Sequence, residues 1–365
     1  MVRPSWVQVD LGAIRHNVAE IVAAVAPAEL CAVVKADGYG HGDVPVAEAA
    51  LDAGATRLGV ALVSEGIGLR EAGIEAPILV FSEPVADDAG DVVRWRLTPT
   101  VYRRSFVEAL AAIAPPGFGV HVKVDTGMHR VGAARDVAED LATEIAAGPL
   151  RLEGVWTHFP VAESDHNFTR GQVTALEEVL ASLAARGVRP EMVHAANTAG
   201  ALADLGARFD MVRIGIGIYG LRPASGYAPE VDLRPAMQVI SRVVYLRRHP
   251  AGARPSYGRR RELERDSTVV TVPIGYADGV PRRLAELGGS VLIRGKRYPF
   301  AGTVTMDQIV VDVGDDPVDV GDEVVLLGRQ GDQEISADEW ATRLGTINWE
   351  IVCGFGPRLP RRYVE

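Results

Sequence analysis

What most constrains this chain is a unit that recurs through its first 234 residues. Short apolar, β-branched runs begin near Cys31, Leu58, Ile78, Thr98, Val120, Leu152, Val193 and Val212, about 20 to 40 residues apart, as βα units require. Between most of them lie Ala-, Leu- and Glu-rich segments with helical periodicity, such as Asp43 to Ala53 and Phe168 to Arg186. Eight strand–helix alternations predict a closed (β/α)8 TIM barrel rather than an open sheet. One further run, WVQVDLGAI from Trp6, reads as a short strand entering a helix over Ala13 to Val25. It is surplus to a barrel of eight, and the second domain is the surface left for it to pair with.

After about Pro235 the helical periodicity stops. MQVISRVVYL, STVVTVPIGYADG, SVLIRGKRYPFAGTVTMDQIVVDVG and DEVVLLG read as short alternating strands, punctuated by Gly288-Gly289, Gly295-Lys296 and Gly314-Asp315. One short helix, Ser336 to Leu344, opens on an N-cap serine with Glu339 at N3. The expected fold class is therefore α/β: an N-terminal barrel over residues 1–234 and a mostly-β domain over 235–365. A chain of 365 residues is long enough for two such domains.

Composition excludes several classes. A net charge of −10 argues against a general nucleic-acid binder. The arginines between Arg247 and Arg265 are interrupted by Glu262 and Glu264 and read as a solvated loop. Two cysteines, Cys31 and Cys353, make neither a disulfide framework nor a zinc pattern. MVRPSWVQVD lacks the apolar core of a signal peptide, and no run reaches membrane-spanning length, so a cytoplasmic location is expected.

Polar motifs sit at the C-terminal ends of the barrel runs, where a TIM barrel builds its active site. AVVKADGYGHG places Lys35 at the end of the first run, with Tyr39 four residues on. A lysine at such a rim is partly desolvated, which lowers its pKa and suits it to Schiff-base chemistry. The glycines at 38, 40 and 42 allow close approach of the backbone to a bulky ligand. Taken singly, Lys35 reads as a solvated strand end, but VKVDTGMHRVG, WTHF, AANTAG and MVRIGIGIYG end or form the fifth to eighth runs. Gly215-Ile216, Thr198 and Tyr39 could supply the backbone N–H groups and hydroxyls that hold a phosphate. Close packing explains Gly215 and Gly217 equally well.

Arg213, inside a strand-end pocket, needs an acceptor or anionic partner. Against a pyridine nitrogen it would keep that nitrogen unprotonated. His158 reads as a hydrogen-bonded supporting residue rather than an acid–base catalyst. Lys123 and Arg130 bracket a turn and need an acid between them, either Asp125 or a carbamate on Lys123.

KADGYGHG, VKVDTGMHRVG, THF, ANTAG, MVRIGIGIYGL, IGYADGVPR and GTVTMDQ occur in this order along essentially the whole chain. Together they resemble the alanine racemases, pyridoxal-phosphate enzymes with a barrel and a β-domain. The resemblance implies that Lys35 carries pyridoxal 5'-phosphate in Schiff-base linkage and exchanges the α-proton of the D-substrate. It implies that Tyr276 is the opposing base on the L-face, contributed by the partner subunit of a homodimer. Tyr39, Asn197, Thr198, Gly215 and Ile216 would hold the phosphate or its surroundings, and Arg213 the ring nitrogen, with His158 behind it. Arg130, positioned by a carbamylated Lys123, would meet the substrate carboxylate, and Met306 and Asp307 would line the substrate site from the other subunit.

The chain departs from the family pattern at His129, where glycine is commonest, and at Pro160, Glu163-Ser164, Arg259 and Pro357. The same motifs would serve a racemase of another amino acid, such as serine or lysine. A decarboxylase is disfavoured by Arg213, and a non-catalytic pyridoxal-phosphate-binding barrel by Tyr276 and the β-domain.

Overall fold

A computed structural model describes residues 3–203 and 205–365, which divide into two units. The chain opens with β1 (Trp6–Asp10) and the helix Leu11–Val25. The larger unit comprises Ala13–Gly38 and Asp43–Arg234. Its strands are β2 (Glu29–Val33), β3 (Arg57–Val60), β4 (Ile78–Val80), β5 (Thr98–Val101), β6 (Gly119–Lys123), β7 (Arg151–Trp156), β8 (Met192–His194) and β9 (Met211–Ile214). Each pairs with the next in parallel and β9 pairs with β2, so the barrel of eight closes as the alternation predicted. The strands are short and buried on both faces because helices cover the outside and side chains fill the inside.

The helices lie close to their expected ranges. Asp43–Asp52 buries Val46, Ala47, Ala49 and Ala50. Arg104–Ile113 buries Phe106, Val107 and Leu110 on one face. The helix expected from Phe168 begins earlier, at His166, because the Asp165 side chain accepts from Phe168 N at 2.9 Å and caps it.

The smaller unit gathers the described residues up to Gly12, Tyr39–Gly42 and Pro235–Glu365. Its larger sheet contains β10 (Met237–Arg242), β13 (Ser290–Ile293), β14 (Lys296–Pro299), β16 (Glu323–Gln330), β17 (Gln333–Ile335) and β18 (Arg361–Val364). The surplus strand β1 joins this sheet, antiparallel to β10 and parallel to β18. A second sheet is formed by β11 (Tyr245–His249), β12 (Ser267–Val272) and β15 (Ile309–Gly314).

MQVISRVVYL is thus two strands in two sheets. Val243 N bonds Asp322 O while Val244 N bonds Thr271 O, and the chain changes sheet between these residues. The short helix is Ala337–Leu344, with the Ser336 side chain accepting from Glu339 N as its N-cap. Strands β17 and β18 and the helix Asn348–Cys353 have no counterpart in the sequence reading. Among the described residues, no helix is long and apolar enough to cross a membrane.

Inside the larger unit, the first helix is held by one buried polar side chain. Asn17 donates to Ile218 O (3.1 Å) and Arg234 O (2.9 Å) and accepts from Arg234 N (2.7 Å). Replacing Asn17 by alanine strands three backbone groups, so Asn17→Ala should lower the unfolding free energy by about 3 kcal/mol. Denaturant melts of the two proteins measure this directly. An unchanged midpoint would mean that the first helix is held by packing alone.

Candidate active site

Lys35 follows β2 at the C-terminal mouth of the barrel and opens a turn of unusual backbone. Ala36, Asp37, Gly38 and Tyr39 all have positive φ, between 52° and 57°. For non-glycine residues that conformation costs about 1–2 kcal/mol each, so surrounding bonds must hold it. Glu65 is one holder: its Oε1 accepts from Ala36 N at 2.7 Å, while Oε2 accepts from Ala61 N (2.7 Å) and Leu62 N (3.0 Å). Gly38 N also bonds Val34 O at 2.9 Å. Sequence reasoning missed Glu65, which sits in a helical first turn with no local signal of its target.

Tyr39 belongs to the smaller unit, and burial pushes its phenol up, with the Cys353 thiol adding to the rise, so it stays a hydroxyl donor. The glycines beside it have a different cause from the one expected. A Cβ on Gly40 would stand 2.5 Å from Val352 O, and one on Gly42 would overlap the Tyr363 hydroxyl. It is the chain's own backbone and side chains, not a ligand, that demand glycine there.

Arg213 lies on β9, whose neighbour β2 leads to Lys35, with Arg213 paired to Cys31. Its side chain is buried and held on several sides. NH1 donates to His194 Nδ1 (2.8 Å), and NH2 reaches Thr157 O (2.9 Å), Ala195 O (2.9 Å) and His158 Nδ1 (3.0 Å). The guanidinium also sits 4.6 Å from the Trp156 ring centroid. Burial draws its pKa down to about 9, so it remains a cation at neutral pH. Burial and the Arg213 charge hold His158 well below its ordinary value, so His158 is a neutral acceptor, as its supporting role required.

Lys123 ends β6 with its amine 4.4 Å from the centroid of the same Trp156 ring. Burial, then Arg213 and Arg130, pull its pKa down to about 7. Asp125 does not bridge Lys123 and Arg130. Its carboxylate accepts from Gly127 N and His129 N, both at 3.0 Å, and lies 3.3 Å from His129 Nδ1. Against the raising effect of burial, these contacts hold Asp125 below its ordinary value. His129 has φ 55°, which accounts for a preference for glycine at this position. Its side chain points outward, 82% exposed, rather than crowding Arg130.

The third cluster joins two short helical turns. Asn197 caps Thr198–Leu202 by accepting from Gly200 N (3.0 Å) and donates to Phe159 O (3.1 Å). Gly215 N donates to Thr198 Oγ1 at 3.2 Å, and Ile216 opens the next turn. For Gly217 the packing explanation holds, since a Cβ would press on Thr198, Ile21 and Ile214 at 3.0–3.1 Å.

The remaining predicted residues meet on the smaller unit. Tyr276, Met306 and Asp307 line one hollow of about 710 Å³ with Tyr257, Arg282 and Gln308. Tyr276 N bonds Thr305 O (2.9 Å) and Ala277 N bonds Met306 O (3.1 Å), which ties the two motifs together. Beneath them Asp278 is wholly buried, accepting from Gly275 N (2.9 Å) and from Arg3 (2.7 and 3.0 Å). Asp278 is a second residue that sequence reasoning passed over. Asp307 pairs with Arg358 at 2.7 Å.

This donor set suits a phosphorylated pyridine aldehyde. A strand-end amine can bond an aldehyde carbon, a fixed guanidinium can meet a ring nitrogen, and backbone N–H groups with hydroxyls can meet a phosphate.

Known proteins resemble this chain over nearly its whole length. The family profiles for the alanine racemase N-terminal and C-terminal domains match residues 9–223 and 236–363. An alanine racemase from Symbiobacterium thermophilum is 47% identical over 99% of this chain and 97% of its own. The crystal structure of alanine racemase from Bacillus anthracis with bound L-Ala-P superposes with TM-score 0.93 at 39% identity, covering 100% and 96% of the two chains. A histidine racemase from Leuconostoc mesenteroides shares the fold at TM-score 0.90 and 29% identity over 100% and 98% of the chains. The fold and its strand-end lysine define a barrel enzyme with an attached β-domain. The chain belongs to the alanine racemase family.

The Lys123 amine carries a testable sign. Its folded pKa, about 7, lies below the ordinary 10.5, so between these values the unfolded chain binds more protons than the native one. The Lys123 contribution to stability therefore rises with pH through that window and is least favourable below pH 7. In buffer free of carbon dioxide, where Lys123 is the amine, stability measured at pH 7 and pH 9 should rise more in the unaltered protein than in Lys123→Met. Parallel pH profiles would show that the amine is not desolvated.

Proposed function

We propose that the protein interconverts L- and D-alanine with bound pyridoxal 5'-phosphate, using Lys35 and Tyr276 as bases on opposite faces of the substrate. The observation that carries this reading is the placement of Lys35 just beyond β2 and of Arg213 on the adjacent parallel strand β9, at the mouth where barrels place their chemistry. When bound, pyridoxal phosphate draws electron density from the substrate's α-carbon.

The protein's part is position and proton movement. Lys35 would hold the cofactor's aldehyde carbon while no substrate is bound, and its amine, once the substrate amine has taken that place, would move one proton at Nζ on one face of the α-carbon. The Tyr276 oxygen moves one on the other face, so a proton removed from one side is replaced from the opposite side and the net count is unchanged. Arg213 keeps the ring nitrogen unprotonated, because a guanidinium gives no proton up, and His158 steadies it from behind. That restraint favours return of the proton over side reactions.

Asn197, Thr198, Gly215 and Ile216 hold the phosphate, with the Tyr39 hydroxyl. Arg130 orients the substrate carboxylate. Lys123, with a pKa near 7, has a large neutral fraction at physiological pH. The neutral amine is the form that takes up carbon dioxide, and a carbamate there supplies the acid that Arg130 lacks while Asp125 serves its own turn.

A homodimer completes the reading. Tyr276 is 42% exposed, Met306 52% and Tyr257 71%, three large side chains around one hollow. Such a rim suits cover by a second copy, with Tyr276, Met306 and Asp307 serving the partner's Lys35. Neither Cys31 nor Cys353 is in a disulfide, which suits the cytoplasm.

Incubation with L-alanine in D2O tests the chemistry: Tyr276→Phe should lower racemisation by roughly 10²–10⁴-fold. Undiminished turnover would remove Tyr276 from the mechanism. Mixing inactive Lys35→Ala and Tyr276→Phe chains tests the dimer. Random exchange should restore about a quarter of the normal activity, because half the dimers carry one intact site. No recovery, after subunit exchange has been shown, would place both bases on one chain.

A further inference from the structure

The barrel interior holds a line of buried polar groups that the reaction does not itself use. From the active-site end, Arg213 NH1 donates to His194 Nδ1 at 2.8 Å. His194 Nε2 and His121 Nδ1 are 2.9 Å apart. His121 Nε2 has no hydrogen-bond partner, and its nearest charged neighbour is Glu153 Oε1 at 3.4 Å. Glu153 Oε1 accepts from Arg57 NH1 at 2.6 Å and Oε2 from Arg151 NH2 at 2.9 Å. Arg57 and Arg151 begin β3 and β7, so the line ends near the opposite mouth of the barrel. Both histidines are fully buried.

Donor chemistry gives this line a single direction. A guanidinium can only donate, so His194 Nδ1 must be bare and accepting. A neutral His194 then carries its hydrogen on Nε2 and donates to His121 Nδ1. His121 in turn carries its hydrogen on Nε2, aimed at the Glu153 carboxylate. Reversing any link would bring two donors face to face at Arg213. Burial holds both imidazoles below their ordinary values, and so neutral. Against burial, His121 and the Arg57 guanidinium hold the Glu153 carboxyl well below its ordinary value, so the acceptor at the end is charged at neutral pH.

The backbone makes room for this line. Val120 of β6 pairs with Leu152 of β7, but the next residue, His121, pairs with Gly154. Glu153 is therefore the extra residue of a bulge, the device by which a strand re-aims a side chain. A Cβ on Gly154 would stand 2.3 Å from His121 Nδ1, and one on Gly119 would overlap Glu153 Oε2. Both positions must be glycine for the line to fit.

We propose that Glu153 is a positioning residue for the racemase site: it faces the Nε2 hydrogen of His121 and so holds His121 and His194 in the ring orientation that keeps Arg213 in place. The effect parallels carboxylate–histidine pairs behind metal ligands, where the outer carboxylate holds the ring orientation and raises the inner nitrogen's basicity. The proposal rests on the reading that Arg213 meets the cofactor ring.

The first test needs no variant and no cofactor: nitrogen NMR of the full chain with labelled histidine. His194 and His121 should both be neutral with hydrogen on Nε2. A hydrogen on His194 Nδ1, or a charged His194, overturns the proposal. Next, Arg57→Leu/Glu153→Met removes the anchor together with its buried counter-charge, while Glu153→Gln retains an acceptor oxygen. The double variant should keep these tautomers but shift the ring-nitrogen signals of His121, which loses its facing carboxylate, and, loaded with pyridoxal phosphate, fall about tenfold in kcat with little change in KM. Glu153→Gln should recover most of both signals. Unchanged His121 ring-nitrogen signals in a folded double variant overturn the proposal even if activity falls. Finally, Arg213→Lys should shift the bound cofactor's absorption band. Wild-type tautomers as expected, but no such shift, would sink the placement of Arg213 at the ring and not the hydrogen-bond line.

Discussion

A guanidinium inside a barrel is the constraint on which much of this structure depends. Arg213 is 3% exposed, and an ion so placed is tolerated only where acceptors meet it in good geometry. Those acceptors come from β8 and from the segments that follow β7 and β8: His194, Ala195, Thr157 and His158. Trp156 offers the face of its ring to the same cation and stacks on His194 at an interplanar angle of 15°. Moving any of these strand ends would uncover a buried charge. The mouth of the barrel is rigid at β7 to β9 for that electrostatic reason, and Lys35 emerges beside it.

Around this rigid arc the site stores unfavourable local features. The turn after Lys35 runs left-handed through three non-glycine residues, and His129 is left-handed as well. The Lys123 amine lies among other cations and is pulled down to about 7. Such features persist only when their surroundings over-determine them. Here the restraints are identifiable: Glu65 grips the backbone at Ala36, and Asp125 grips it at Gly127 and His129. The two carboxylates hold the loops that carry Lys35 and Arg130.

Much of this was legible in the chain. The eight β-branched runs all became barrel strands, because a buried parallel strand and its covering helix each write their own period into the sequence. The Ser336 cap and the change of pattern at Pro235 were equally local signals. Lys35, Lys123, His158, Thr198 and Arg213 could be named because each stands in or at the end of a run, whereas Tyr276, Met306 and Asp307 were named from the family resemblance alone. Glu65, Asp278, His121 and Glu153 could not be named. Each is an ordinary polar residue within a helix, turn or strand, and its partner lies elsewhere in the chain: 29 positions away for Glu65 and Ala36, 275 for Asp278 and Arg3, 73 for His121 and His194.

The sequence by itself determined which segments are strands and helices, where one architecture gives way to the other, and which polar residues stand at strand ends. Periodicity, caps and turn residues act within a few positions, so they are written where they act. The tertiary structure alone decided that β1 lies between β10 and β18, that MQVISRVVYL divides between two sheets, and that a bulge turns Glu153 toward His121. Those outcomes depend on register, on the hydrogen-bond needs of distant backbone groups, and on charges that must find partners once water is excluded. None of these is a property of a segment taken alone.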